Sequence, residues 1–149
     1  MSETTVALTA TRAAVTPRSR AARISLTALQ VVLGLFYAFA SALPKLIAHP
    51  SATESFDRLG WGHTGMYIIG ALELAGGLAL LIPLLDSVAA LALSALMAGA
   101  FIVNVTVVHG PYAATPLILM LPLGLIAWAR RGHTTELLRL VGRRAGRRV

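Results

Sequence analysis

The 149-residue chain contains no cysteine. Disulfides, thiol redox chemistry and cysteine-ligated zinc or iron–sulfur centres are therefore excluded. Charge is scarce, at 13% of residues, and six acidic side chains face thirteen lysines and arginines. The sequence has no Ser-His-Asp signature, glycine-rich phosphate loop, zinc motif or pair of intramembrane histidines suited to haem. No residue set for independent catalysis is visible, and no metal site is expected. The net charge of +7 does not point to nucleic acid, because the basic residues lie almost wholly in two terminal tails without an accompanying aromatic or fold motif.

What the sequence does have is apolar length. At 56% hydrophobic residues, it cannot hide its apolar surface in one small soluble core, so lipid is the expected solvent. Four runs stand out, at residues 24–43, 66–85, 88–108 and 113–128. Each is near the ~17–25 residues that a spanning helix needs, with the fourth at the short limit. In that fourth run Pro116 fits an opening turn and Pro122 is expected to kink the helix. Four spans over residues 24–129 then lie between a basic tail, 1–23, and an arginine-rich tail, 130–149.

Arginine orients the spans. Residues 1–23 hold Arg12, Arg18, Arg20 and Arg23 against Glu3, a net of +3, and residues 130–149 hold seven arginines against Glu136, a net of +6. The 47–64 connection holds Glu54, Asp57 and Arg58, a net of −1. Positive residues stay cytoplasmic, so both termini are expected inside. The predicted fold is all-α, an integral membrane four-helix antiparallel bundle, multi-pass in the cell membrane. Arginines, an apolar stretch and Ala38-Phe-Ala40 before Ser41 imitate a secretory signal. The apolar run is longer than a signal core, and retention is expected. The tails are expected to contact an anionic cytoplasmic leaflet.

Small residues at helical spacing, Gly34/Ala38/Ala42, Ala71/Ala75/Ala79 and Ala95/Gly99, suggest close helix packing or the chance spacing of alanine-rich helices. In the 47–64 connection Ser51 and Glu54 read as a capping box that opens a short amphipathic helix ended by Gly60 and Gly62.

Glu73 is a lone carboxylate inside the second run. Near a bilayer centre it costs at least ~2.5 kcal/mol unless neutralised or paired. Lys45 ends the first span in the same membrane half, Asn104 and His109 close the third, and Tyr67 lies before Glu73 on the second. Lys45, Tyr67, Glu73, Asn104 and His109 form the candidate ligand-binding set. Two readings stay open: an ion pair that fixes helix register, or a pocket or proton-handling site open to the outer face. His49, His63 and His109 share that face, but their spacing matches no ligand motif.

Three stretches carry a resemblance: Phe39-Ala-Ser-Ala-Leu-Pro-Lys45-Leu46, Glu54-Ser-Phe56-Asp-Arg-Leu-Gly60-Trp61, and Ile69-Gly70-Ala-Leu-Glu73-Leu-Ala-Gly-Gly. In order and spacing they resemble the DoxX-like family of small four-helix bacterial membrane proteins, over residues 25–128. Pro44 stands where a glycine near the lysine is more usual. The resemblance implies a bacterial inner-membrane protein, an accessory subunit associated with a quinone-linked redox system, since the family is named after a subunit of a thiosulfate:quinone oxidoreductase. Quinone is the cofactor it implies, bound non-covalently, and a redox enzyme subunit the partner. The alternative is a non-catalytic scaffold, or a protein for small-molecule binding or transport, whose Lys45/Glu73 cluster only sets register. A homo-oligomer stays open.

Overall fold

The computed structural model describes residues 17–108 and 114–131. The tails at 1–16 and 132–149 lie outside the described residues, as does His109. Helix is the only regular structure among the described residues. Helix α1 covers residues 17–46 in three parts: α-helical Pro17–Leu35, π-helical Phe36–Ala42 and a last turn, Leu43–Leu46. Then come α2 (Pro50–Arg58), α3 (Gly62–Leu80), α4 (Asp86–Val103, continued by π-helical Asn104–Val108) and α5 (Ala114–Ala129).

Local chemistry explains most of these boundaries. Pro44 lacks an N–H and its ring crowds the preceding turn, and the helix widens to a π form directly before it. Pro83 likewise disfavours helix at Ile82. Thus α3 ends at Leu80, before the end of the apolar run, and the chain turns through Leu81 N–H to Leu78 O and Leu85 N–H to Ile82 O. Pro122 stays inside α5.

Helix α2 starts two residues earlier than a Ser51 cap would require. Pro50 takes the first helical position, and His49 caps it by accepting from Ser51 N–H at 3.4 Å. The expected capping box is therefore not formed; Glu54 instead pairs with Arg58 at 2.6 Å. At the other end Trp61 N–H reaches Phe56 O and Gly60 N–H reaches Asp57 O, with Gly60 at φ +70°. This is a Schellman closure, and a left-handed residue there suits glycine.

The long helices pack as antiparallel neighbours: α3 against α1, α4 against α3, and α5 against α4, while α5 touches α1 chiefly at one end. The shared core is Leu33, Tyr37, Leu80, Leu93, Met97, Leu123 and Ile126 with small alanines between them. Two helical stretches, Arg20–Leu46 and Asp86–Val108, are long and apolar enough to cross a membrane. Only 33% and 22% of their most apolar windows are buried, whereas the core helix of a soluble protein would be mostly buried. The apolar faces point outward.

The close approach of α1 and α3 is built from glycine. A Cβ on Gly77 would lie 2.8 Å from Gly34 O and 3.0 Å from Ala38 N, and one on Gly70 would lie 2.9 Å from Lys45 Cβ. The packing stripe on α3 is therefore Gly70, Glu73 and Gly77. Ala71 and Ala75 are exposed instead, as are Ala95 and Gly99 on α4. The stripe Gly34, Ala38 and Ala42 is the one that packs. Gly77→Ala should therefore push two backbones apart and cost about 1–3 kcal/mol. Gly124→Ala, where nothing lies within 4 Å, should stabilise by up to about 1 kcal/mol through helix propensity. Thermal unfolding of the two variants in one detergent checks the contrast, and equal shifts would remove the packing role of Gly77.

Candidate functional site

Tyr37, Ser41 and Lys45 follow one another at four-residue steps on the part of α1 that contains the π-helical stretch. They face Gly70, Glu73 and Gly77 on α3. The rise of the helices matches these two rows because neither Gly70 nor Gly77 holds α1 away. Between them Lys45 Nζ donates to Glu73 Oε2 at 2.7 Å. The carboxylate side chain is 4% exposed and that of the lysine 18%.

The ammonium has three protons and uses each of them. Its other partners are Ser41 O at 2.9 Å and Ser41 Oγ at 3.3 Å. With three acceptors the lysine is held in one rotamer, and Glu73 is fixed as one of its hydrogen-bond acceptors. Lys45 and Glu73 thus meet as the sequence led one to expect.

Tyr67 and Asn104 lie elsewhere, and His109 is outside the described residues. Tyr67 is exposed, and its ring lies 6.3 Å from that of His63 on the outside of α3. Asn104 opens the π-helical end of α4 and has a buried Oδ1 without a hydrogen-bond partner. Gly76 lies against Leu93, which sets the register of α3 on α4. The helical rise then puts Asn104 about 12 Å from Glu73 along the bundle axis. Among the described residues no group of three His, Cys, Asp or Glu side chains comes together.

Two features were missed in the sequence. The first is Tyr37, which is 0% exposed and has a hydroxyl without a hydrogen-bond partner among the described residues. It lies one turn from Ser41 and within electrostatic reach of Glu73. A tyrosine two turns before a lysine that closes the same span was the available signal. The second is a polar group at the opposite end of the helices. Asp86 is fully buried and lies 3.6 Å from Arg130 Nε, while Arg130 Nη2 donates to Thr27 Oγ1 at 2.9 Å. Beside them Gln30 Nε2 donates to Leu80 O at 2.5 Å, satisfying a carbonyl at the end of α3, and Ser87 Oγ donates to Ala127 O. A lone glutamine in an apolar run was the overlooked sign.

The two ends differ in chemistry. The Asp86–Arg130 group ties the ends of α1, α3, α4 and α5 together and is a clamp. The Lys45–Glu73 centre offers a fixed carboxylate within electrostatic reach of a buried phenol.

The DoxX-like family model matches residues 28–133. No curated protein and no solved structure matches the chain.

Removing one partner of the buried pair leaves the other charge uncompensated. Lys45→Met and Glu73→Gln should each cost about 3–5 kcal/mol, and the double variant much less than their sum. Unfolding free energies of the four proteins give the cycle. Additive losses would mean that the pair does not couple.

Proposed function

Since the chain belongs to the DoxX-like family, we propose that it is a four-span integral membrane protein of the bacterial plasma membrane. Both termini are cytoplasmic, and it serves as an accessory subunit of a quinone-linked redox system. The mostly exposed apolar faces of its helices support the lipid-embedded reading. Helix α3, with 19 residues, and α5, with 16, complete the four spans; α5 needs little tilt or a locally thin bilayer. The arginine asymmetry supplies the orientation, with α2 at the outer face.

One observation carries the redox part: a buried Tyr37 hydroxyl, without a hydrogen-bond partner among the described residues, within electrostatic reach of the Glu73 carboxylate that Lys45 holds. A quinone carbonyl needs a donor in an apolar surround, and the phenol supplies one. A quinol hydroxyl needs an acceptor, and Glu73 supplies that. Bound there, a quinone would contribute the carrying of electrons and protons in the lipid phase. The chain's own residues orient its oxygen and exclude water. Electrons come from a partner enzyme subunit, because the chain has no thiol with which to handle them.

The complete coordination of Lys45 favours a second reading, in which the pair only locks α1 to α3 and the protein is a scaffold. Tyr37→Phe separates the two. The substitution keeps the ring and removes an unsatisfied buried hydroxyl, so stability should be unchanged or slightly higher. The quinone reading requires a loss of binding on the order of tenfold for a quinone analogue titrated into purified protein, the loss of one hydrogen bond in an apolar site. A larger loss is expected for Glu73→Gln, together with destabilisation. Unaltered affinity in Tyr37→Phe, or no lipophilic redox molecule extracted from the wild type, would leave the scaffold.

Topology has its own test, made simple by the absence of cysteine. Single cysteines at Ser2, Ser55 and Arg147 should react with an impermeant thiol reagent on intact cells only at Ser55. Labelling at Arg147 would overturn the even count of spans.

A further inference from the structure

The face of α1 that carries Thr27 continues toward the start of the helix through Arg23 and Arg20, four and seven residues back. The bond from Arg130 to Thr27 fixes this face beside the end of α5. Arg131 follows there, with its guanidinium carbon 5.5 Å from the Trp128 ring centroid. Two helices therefore carry four arginines, Arg20, Arg23, Arg130 and Arg131, at the end where α1 and α5 touch. Arg130 is committed to the buried Asp86. Arg20, Arg23 and Arg131 are exposed. Next to them the surface turns apolar at once: Ile24, Leu121, Leu125 and Trp128 are more than half exposed, with Trp128 at 66%.

We propose that this seam between α1 and α5 seats the phosphodiester headgroup of an anionic phospholipid. The inference rests on the bilayer insertion proposed above and is independent of the redox part of that reading. Guanidinium groups present forked donors that match phosphate oxygens, which a lysine cluster would not do as well. Their position where polar and apolar surface meet is where a headgroup lies, and tryptophan settles at the same level. Basic pockets between spanning helices on the cytoplasmic side are suited to such headgroups. The apolar side chains beyond the arginines flank the acyl chains. A zwitterionic lipid brings a cation that these arginines repel, so the seat discriminates by net charge.

The test uses the full chain, purified in detergent with equal phosphatidylglycerol and phosphatidylcholine, with retained lipid read by native mass spectrometry. The wild type should hold the anionic lipid about tenfold in excess. The triple variant R20Q/R23Q/R131Q should lose that preference and keep its helical circular dichroism, because none of the three is buried. R58Q, at the opposite end, should retain it. Equal retention of the two lipids by the wild type would overturn the proposal. So would a preference that survives in the triple variant and disappears only when the arginines beyond residue 131 are replaced. A chain recovered without membranes would refute bilayer insertion itself, whereas failure to find a quinone leaves the lipid seat standing.

Discussion

The contact between Lys45 and Glu73 sets the terms for the rest of the molecule. A carboxylate within a run of apolar residues is tolerable only if a cation reaches it, and that cation lies on a different helix. A 2.7 Å contact requires the two backbones to be near neighbours. Gly34, Gly70 and Gly77 make this approach possible, because a Cβ at any of them would meet another chain segment at 3.0 Å or less. The π-helical stretch before Pro44 completes the arrangement. It brings Tyr37, Ser41 and Lys45 toward α3 and leaves Ser41 O to accept from the ammonium. Helix geometry, glycine placement and charge are thus one constraint viewed three ways.

The opposite end obeys the same rule with different residues. Asp86 is buried at the start of α4, where the helix dipole already favours an anion, and Arg130 approaches it from the end of α5. Gln30 and Ser87 spend their donors on carbonyls of neighbouring helices. In lipid, burial of apolar surface gives little force between helices, and association comes from close packing and from polar contacts. Polar fasteners at both ends with a tightly packed middle fit the bilayer insertion proposed above. Among the described residues, Thr27 and Arg130 fasten the α1/α5 seam at one end.

The sequence disclosed the helices and the central pair because both follow from local chemistry. Apolar run length marks helices, and a lone carboxylate demands a partner whose reach limits the choice. On α3 sequence and structure differ because periodicity does not say which face of a helix turns inward. Ala71, Ala75 and Ala79 have the spacing of a packing stripe, yet Gly70 and Gly77 are where α1 comes closest, Gly77 against its backbone and Gly70 against the Lys45 and Leu46 side chains. Tyr67 is in the correct half of α3 but on its outer side, while Tyr37 has the inward face. Asn104 shares a half of the bundle with Glu73 but not its level. Asp86 falls between the second and third apolar runs, and its partner, Arg130, is 44 positions away in sequence at the start of the arginine-rich tail.

The contrast between Lys45 and Tyr37 bears most directly on what the centre is for. Every proton of the ammonium is used, and a carboxylate so paired needs nothing more for the fold to stand. Tyr37 is the opposite case. Its ring fills the core as phenylalanine would, but its hydroxyl finds no acceptor or donor among the described residues, and an unmade bond of that kind costs about 1–3 kcal/mol. Packing therefore accounts for the ring and not for the oxygen. The quinone reading proposed above gives that oxygen a carbonyl to donate to, with the Glu73 carboxylate within electrostatic reach as an acceptor. A scaffold alone would be at least as stable with phenylalanine at this position, and the hydroxyl is the one group in the centre that register-setting leaves without a role.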